Sequence, residues 1–231
     1  MKAEQIVSTT GLPHPPIRIF FEDPHLIVLS KPPGLLSQGE KTGEPNLVDI
    51  LRVYFGRNYV GLIHRLDRAT SGLMVVAKRT KSARRLTEAL QSGDIQRTYL
   101  GWVMGKLPKE VSWSHSLHKD ERTNTVKVVR SGGKPSILRA RPVQYSSWNS
   151  TPCTLAEFIL ETGRSHQIRV QAAHEGFPLL GDAKYGAPRG FSRVALHSHR
   201  LEFPHPMSGE TMQFEDPLPQ DLILGSQSSS V

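Results

Sequence analysis

The chain reads as a protein of both strands and helices in which strands predominate. Three observations carry that reading. Two β-rich runs, 17–21 and 26–30, are separated by Glu22-Asp23-Pro24-His25, the pattern of a hairpin. Residues 96–104, QRTYLGWVM, alternate with period two, as do 137–145 and 153–161. Residues 46–55 instead repeat Leu47, Ile50, Leu51 and Tyr54 at the spacing of one helix face.

Residues 1–16 are polar, then punctuated by prolines, and read as a flexible lead-in. After the first hairpin, Lys31-Pro32-Pro33-Gly34 stops the second strand, and Asn46 is placed to cap the first helix. The apolar run 73–77 follows the turn residues Thr70-Ser71-Gly72 and reads as a buried strand. Residues 82–90 form a second helix, with Ser82 as its cap, Leu86 and Leu90 on one face and Gly93 beyond its end. On the strand 96–104, Arg97, Tyr99 and Gly101 share a face. Residues 106–135 are polar and irregular, apart from a short strand at 125–130 and a turn at Ser131-Gly132-Gly133. The strands 137–145 and 153–161 are joined by a hairpin loop, 146–152. Ser165 is placed to cap a third helix from His166 to about Glu175, closed by Gly176. Its first turn has the form of an anion site, with backbone N–H groups beside Arg164; the same residues also describe an ordinary capped helix. Strands follow at 194–203 and 211–214, and the serine-rich tail 225–231 reads as disordered. No repeat or linker divides the chain, so 17–224 reads as one domain.

Apolar residues make up 37% and charged residues 22% of the 231, which suits a globular enzyme or binding protein. Twenty-nine basic against 21 acidic side chains leave a formal charge of +8 and a pI of about 9.8. That excess favours a polyanionic partner, nucleic acid ahead of an anionic membrane surface. No apolar run approaches the roughly 18 residues of a membrane span, and the N-terminus lacks the apolar core of a signal peptide. The lone Cys153 excludes an internal disulfide or a Cys-based zinc cluster and suits a reducing cytoplasm. His197-x-His199 and His115-x-x-His118 bring no third ligand at zinc spacing, so no metal is assigned. The GxxxxGK[ST] and GxGxxG signatures are absent, which argues against nucleotide-driven or dinucleotide-dependent chemistry.

The stretch 61–77, GLIHRLDRATSGLMVVA, concentrates the chemistry. Asp67 is the only carboxylate between Asp49 and Glu88, with Arg65, Arg68, Lys78, Arg79, Lys81, Arg84 and Arg85 around it. Neighbouring positive charge favours the ionised carboxylate, and a loop braced by a buried strand is a site geometry. The mundane reading is a surface acid paired with Arg65 or Arg68.

Three blocks in order change the balance: HRLDRATSGLMVVAK (64–78), QRTYLGWVMG (96–105) and TGRSHQIRV (162–170). Together with KPPGLLS (31–37), PLLGDAKYG (178–186) and ALHSHRLEFPHP (195–206), they resemble the RluA-type pseudouridine synthases over most of residues 17–216. The resemblance implies an α+β fold, a mixed and largely antiparallel central sheet flanked by helices and cut by a basic catalytic cleft. Asp67 matches that family's catalytic aspartate, Tyr99 its base-stacking tyrosine and Arg169 the basic residue that pairs with the aspartate. Arg65 matches an arginine implicated in RNA binding and in holding the space the target base leaves. His64, Arg164 and His166, inside the same motifs, are expected to bind substrate. Arg65 then belongs to the pocket, while Lys78 to Arg85 track the RNA backbone or face water. Phe177 stands where the family often has His, and GGKPSILRA (132–140) departs from the usual pattern, which bears on substrate detail. The N-terminus is too short for the S4-like domain many relatives carry.

The implied reaction breaks the C1′–N1 bond of uridine, rotates the uracil and rejoins it through C5. It transfers no electron or phosphate, so no cofactor is expected. It needs one ionised carboxylate in a pocket that excludes water. The expected partner is structured RNA, a ribosomal or transfer RNA stem-loop, bound by a monomer without DNA or membrane. A non-catalytic RNA-binding or chaperone protein is the rival class; a hydrolase lacks a placed second carboxylate or serine.

Overall fold

The computed structural model describes residues 4–6, 15–39 and 43–224, so the tail read as disordered lies outside the described residues. In chain order, β1 (Glu4–Ile6), β2 (Ile17–Glu22) and β3 (Leu26–Lys31) precede α1 (Leu47–Phe55), the two-residue β4 (Gly61–Leu62), β5 (Ser71–Ala77), α2 (Thr80–Ser92) and β6 (Gln96–Met104). There follow β7 (Val111–Asp120), β8 (Thr125–Val129), β9 (Lys134–Trp148), β10 (Thr151–Leu160), α3 (Gln167–His174), β11 (Leu196–Pro204) and β12 (Thr211–Glu215). Three helices among largely antiparallel strands make this an α+β fold, the class the resemblance implied. Among the described residues no helix is long and apolar enough to cross a membrane.

The chain divides into two compact units, Met1–Arg97 with Ser198–Asp216, and Thr98–His197 with Pro217–Val231. In the first, β1, β2, β3 and β5 pair antiparallel in that order, β11 lies beside β5, and β12 pairs with β11. Its core joins Leu26 and Val28, Leu73 and Val75, and Leu201 and Phe203 to Leu86 and Ala89 of α2. Every residue of β5 is buried, as its unbroken apolar run requires. Asn46 caps α1 by accepting the N–H of Asp49, and Gly56 ends the helix in the left-handed conformation. In the second unit the order is β6, β10, β9, β7, β8, all antiparallel. One cluster there holds Trp102, Cys153, Leu155, Leu180 and Ala195; another seats Val170 of α3 on Leu117 and Val126.

The structure corrects the sequence reading in five places. Residues 4–6, read as lead-in, form a strand on β2. The stretch read as irregular contains the ten-residue β7, where Trp113 and Leu117 point inward between polar neighbours. Its period-two signal is real but sparse, because most of its outward residues are Ser and His. The loop expected at 146–152 shrinks to Asn149 and Ser150, both at positive φ (47° and 61°), the geometry of a two-residue hairpin turn. Ser82 does not cap α2: the helix starts two residues earlier and Ser82 is buried inside it. Nor does Ser165 cap α3; His166 occupies that position at φ 51° with no side-chain cap bond.

One glycine is obligatory for the start of β5. Gly72 has φ +109°, and a Cβ there would lie 2.3 Å from the carbonyl oxygen of Ser198, whose hydroxyl donates to Leu73 O at 3.0 Å. Gly72→Ala therefore combines left-handed strain with a backbone clash, and should cost about 3 kcal/mol or more. Urea denaturation measures it; an unchanged midpoint contradicts the close approach.

Candidate active site

In the first unit the segment 64–70 is held mainly through its backbone. Ser37 grips Leu66 twice: its hydroxyl donates to Leu66 O at 2.7 Å and accepts Leu66 N–H at 3.1 Å. Two residues on, Arg68 O accepts Gly34 N–H at 2.8 Å and the Lys31 ammonium at 3.3 Å. Lys31 is fully buried, and its remaining donors go to Leu35 O (2.7 Å) and Pro32 O (2.9 Å). Thr70 N–H closes a turn on Asp67 O at 3.0 Å. Asp67 thus sits, half-buried, between two clamped residues. The KPPGLLS segment, noted only as a flanking motif, is what supplies the clamps. Neither Lys31 nor Ser37 was picked out as a site residue, because nothing local shows that they meet a loop some thirty residues away.

The arginines around Asp67 are not its surface ion-pair partners. Arg68 forks onto Glu44 (2.7 and 3.1 Å) and donates from Nε to Gly34 O. Arg65 is exposed and, among the described residues, has no side-chain hydrogen bond or ion pair. The basic run after β5 is largely engaged within the protein. Lys78 pairs with Glu22, Arg79 donates to Pro24 O, and Arg85 donates to Pro206 O.

His64 is buried, and its Nε2 accepts the N–H of Val75 at 3.2 Å. The imidazole therefore supports the protein's own backbone at the start of the loop. Burial first, and the positive charge of Arg97 second, push its pKa down to about 3.

In the second unit Tyr99 lies on β6 opposite Phe158 of β10 and is nearly buried. Arg169 comes from α3. Its guanidinium meets the buried Asp182 carboxylate through Nε (2.7 Å) and Nη2 (2.8 Å), and stands over the Tyr185 ring. The Tyr185 hydroxyl accepts Val126 N–H at 3.1 Å and lies 2.7 Å from His166 Nδ1. His166, at the head of α3, thus joins Tyr185 in the shell that orients Arg169. Arg164 is exposed; the Gln167 side chain accepts its N–H, and its Nε donates to Pro135 O. Asp182 and Tyr185 were legible only as part of GDAKYG; no spacing rule joins them to Arg169.

The first unit thus carries a clamped loop around a lone acid, and the second a buried bidentate acid–arginine pair. Residues 25–174 match the family model described as RNA pseudouridylate synthase, and the chain belongs to that family, as the RluA-type resemblance implied. It is 34% identical to the ribosomal large subunit pseudouridine synthase D of Xanthomonas campestris, over 90% of this chain and 67% of that protein. It is 36% identical to the protein of the same name from Nitrosomonas europaea, over 90% and 63%. The chain thus spans about two thirds of the length of these relatives. Among solved structures, human RNA pseudouridylate synthase domain containing 1 superimposes with a TM-score of 0.73 at 24% identity, covering 86% of this chain and 82% of that one. That likeness speaks to the fold.

Two outcomes follow from these geometries. Because the folded pKa of His64 lies below its unfolded value near 6.5, the unfolded chain binds one more proton between about pH 6.5 and 3. Stability contributed by the neutral imidazole is present above pH 6.5 and falls by about 1.4 kcal/mol per unit below it. Urea titrations from about pH 7 to 4 should show this slope in the wild type and lose it in His64→Asn; equal slopes contradict the assignment. Asp182→Asn leaves Arg169 buried without its carboxylate and should cost about 3–5 kcal/mol, read by the same denaturation experiment.

Proposed function

We propose that this chain isomerises uridine to pseudouridine in structured RNA, with the Asp67 carboxylate as the catalytic group. The observation that carries the reading is the double clamp around Asp67, Ser37 on Leu66 before it and Lys31 and Gly34 on Arg68 after it. A loop immobilised on both sides of one acid suits a reaction that requires a single carboxylate in a fixed place. Tyr99 serves as a stacking platform for the extruded uracil, worth about 1–3 kcal/mol. That offsets part of the few kcal/mol, roughly, that unstacking costs. Arg169, held rigid by Asp182, is the counter-charge, and the exposed Arg65 takes up the space the base leaves. Arg164 meets the RNA backbone, and His64 and His166 bind substrate by shaping the segments that carry Arg65 and Arg169.

The reaction is balanced without a cofactor. The C1′–N1 bond breaks with its electron pair staying on N1, the uracil turns, a C5–C1′ bond forms, the proton at C5 leaves to water, and N1 takes up a proton in its place. The formal charge of +8 favours a polyanion. The names of the relatives make large-subunit ribosomal RNA the first substrate to test, and a transfer RNA stem-loop the second. The chain acts as a monomer in the cytoplasm.

Tritium release from RNA labelled at uracil C5 tests the proposal. Wild type should release tritium; Asp67→Asn and Asp67→Ala should release none while binding the RNA nearly as well. Release by the mutants at the wild-type rate removes Asp67 from the chemistry, and no release by wild type points to a non-catalytic RNA-binding protein.

A further inference from the structure

Arg97, the second residue of β6, is the unexplained charge of the first unit. It is 7% exposed, and among the described residues its guanidinium makes no hydrogen bond, ion pair or ring contact. The other charged side chains buried among the described residues all have partners: Lys31 has carbonyls, Glu157 has Arg141, Arg169 and Asp182 have each other, and Asp216 has Arg18. A buried charge without a counter-charge is strongly unfavourable, so a protein keeps one where a partner arrives from outside or where something else demands it.

A second orphan lies within reach of the same charge. Val75 N–H donates to His64 Nε2, so the proton of the neutral imidazole sits on Nδ1. That Nδ1 is buried with no acceptor, as is the Nε of Arg97. The field of Arg97 acts directly on His64. Among the described residues the two side chains therefore present two unsatisfied donors and a positive charge with no counter-charge, and His64 directly precedes Arg65. A water molecule would satisfy the donors and leave the charge; an anionic oxygen satisfies both.

We propose that Arg97, with His64 Nδ1–H, forms a receptor for a backbone phosphate of the RNA, engaged when the substrate docks on the Asp67 loop. This rests on the reading of the chain as an RNA-modifying enzyme. In the absence of RNA the site is an electrostatic defect that weakens the fold, and the incoming phosphodiester relieves it. The sign of that defect separates this role from a structural one. An apolar side chain of similar length stabilises the free protein and weakens its complex; a structural arginine behaves in the opposite way on the first count.

The experiment compares wild type, Arg97→Met and Arg97→Lys on large-subunit ribosomal RNA labelled with tritium at uracil C5. Binding is followed from about 50 to 200 mM salt, and thermal midpoints are taken without RNA. Arg97→Met should melt at or above the wild-type temperature, bind roughly ten- to a hundredfold more weakly, and lower the slope of log affinity against log salt by about 0.7–0.9. Arg97→Lys should keep the slope. An Arg97→Met protein that melts lower, or that binds with unchanged affinity and slope, overturns the proposal. If wild type itself neither binds the RNA nor releases tritium, the function proposed above fails with it. If wild type does both and Arg97→Met matches it, only the phosphate receptor fails.

Discussion

Lys31 makes the interaction on which the Asp67 loop of the first unit depends. An ammonium taken wholly out of water persists only if its donors are satisfied, and here Pro32, Leu35 and Arg68 supply the carbonyls. The two prolines that follow Lys31 have no N–H to place, so the turn can spend its carbonyl groups on the lysine without leaving a donor unpaired. Gly34, at φ +84°, then turns the chain so that its own N–H reaches Arg68 O. Ser37 completes the arrangement by bonding both polar groups of Leu66. The loop carrying Asp67 is thereby fixed by contacts to main chain on both sides of that residue.

The second unit solves the matching problem for positive charge. Arg169 is nearly as buried as Lys31, and a planar guanidinium needs a carboxylate that meets it edge to edge. Asp182 does so with both oxygens, while the Tyr185 ring covers the guanidinium face and its hydroxyl ties β8 and His166 to the same point. An arginine held along one edge and over one face is fixed in orientation, which is the property a preorganised site needs. Net charge gives little guidance to such arrangements. Arg68, Lys78, Arg79 and Arg85 are engaged internally by Glu44, Glu22 and backbone carbonyls, whereas among the described residues Arg65 and the buried Arg97 have no side-chain partner.

How much of this was legible depends on the range of the interaction. The strands β2, β3, β5 and β6 and the helix α1 were readable because side-chain alternation, unbroken apolar runs and a capping Asn46 act over a few residues. β7 was missed because its inward residues are spaced by Ser and His, which dilute the same signal. The caps assigned to Ser82 and Ser165 failed because capping preference is a weak local bias: in α2 burial of Ser82 overrides it, and in α3 the Gln167 side chain instead braces the preceding loop. The loop around Asp67 was recognisable as a motif, but the braces of that loop were not.

Sequence alone therefore determined the strand-rich α+β character, the family and the position of its motifs, since each is written in local spacing. Which charges meet was decided only in three dimensions. Asp182 finds Arg169 across 13 residues, Ser37 finds Leu66 across 29, and Lys31 finds Arg68 across 37. These pairings follow the path of intervening loops and the exclusion of water around them, and neither quantity is carried by periodicity. The isolation of Arg97 is of the same kind. Its strand position was evident from QRTYLGWVM, but that its Nε meets no acceptor among the described residues emerges only in three dimensions.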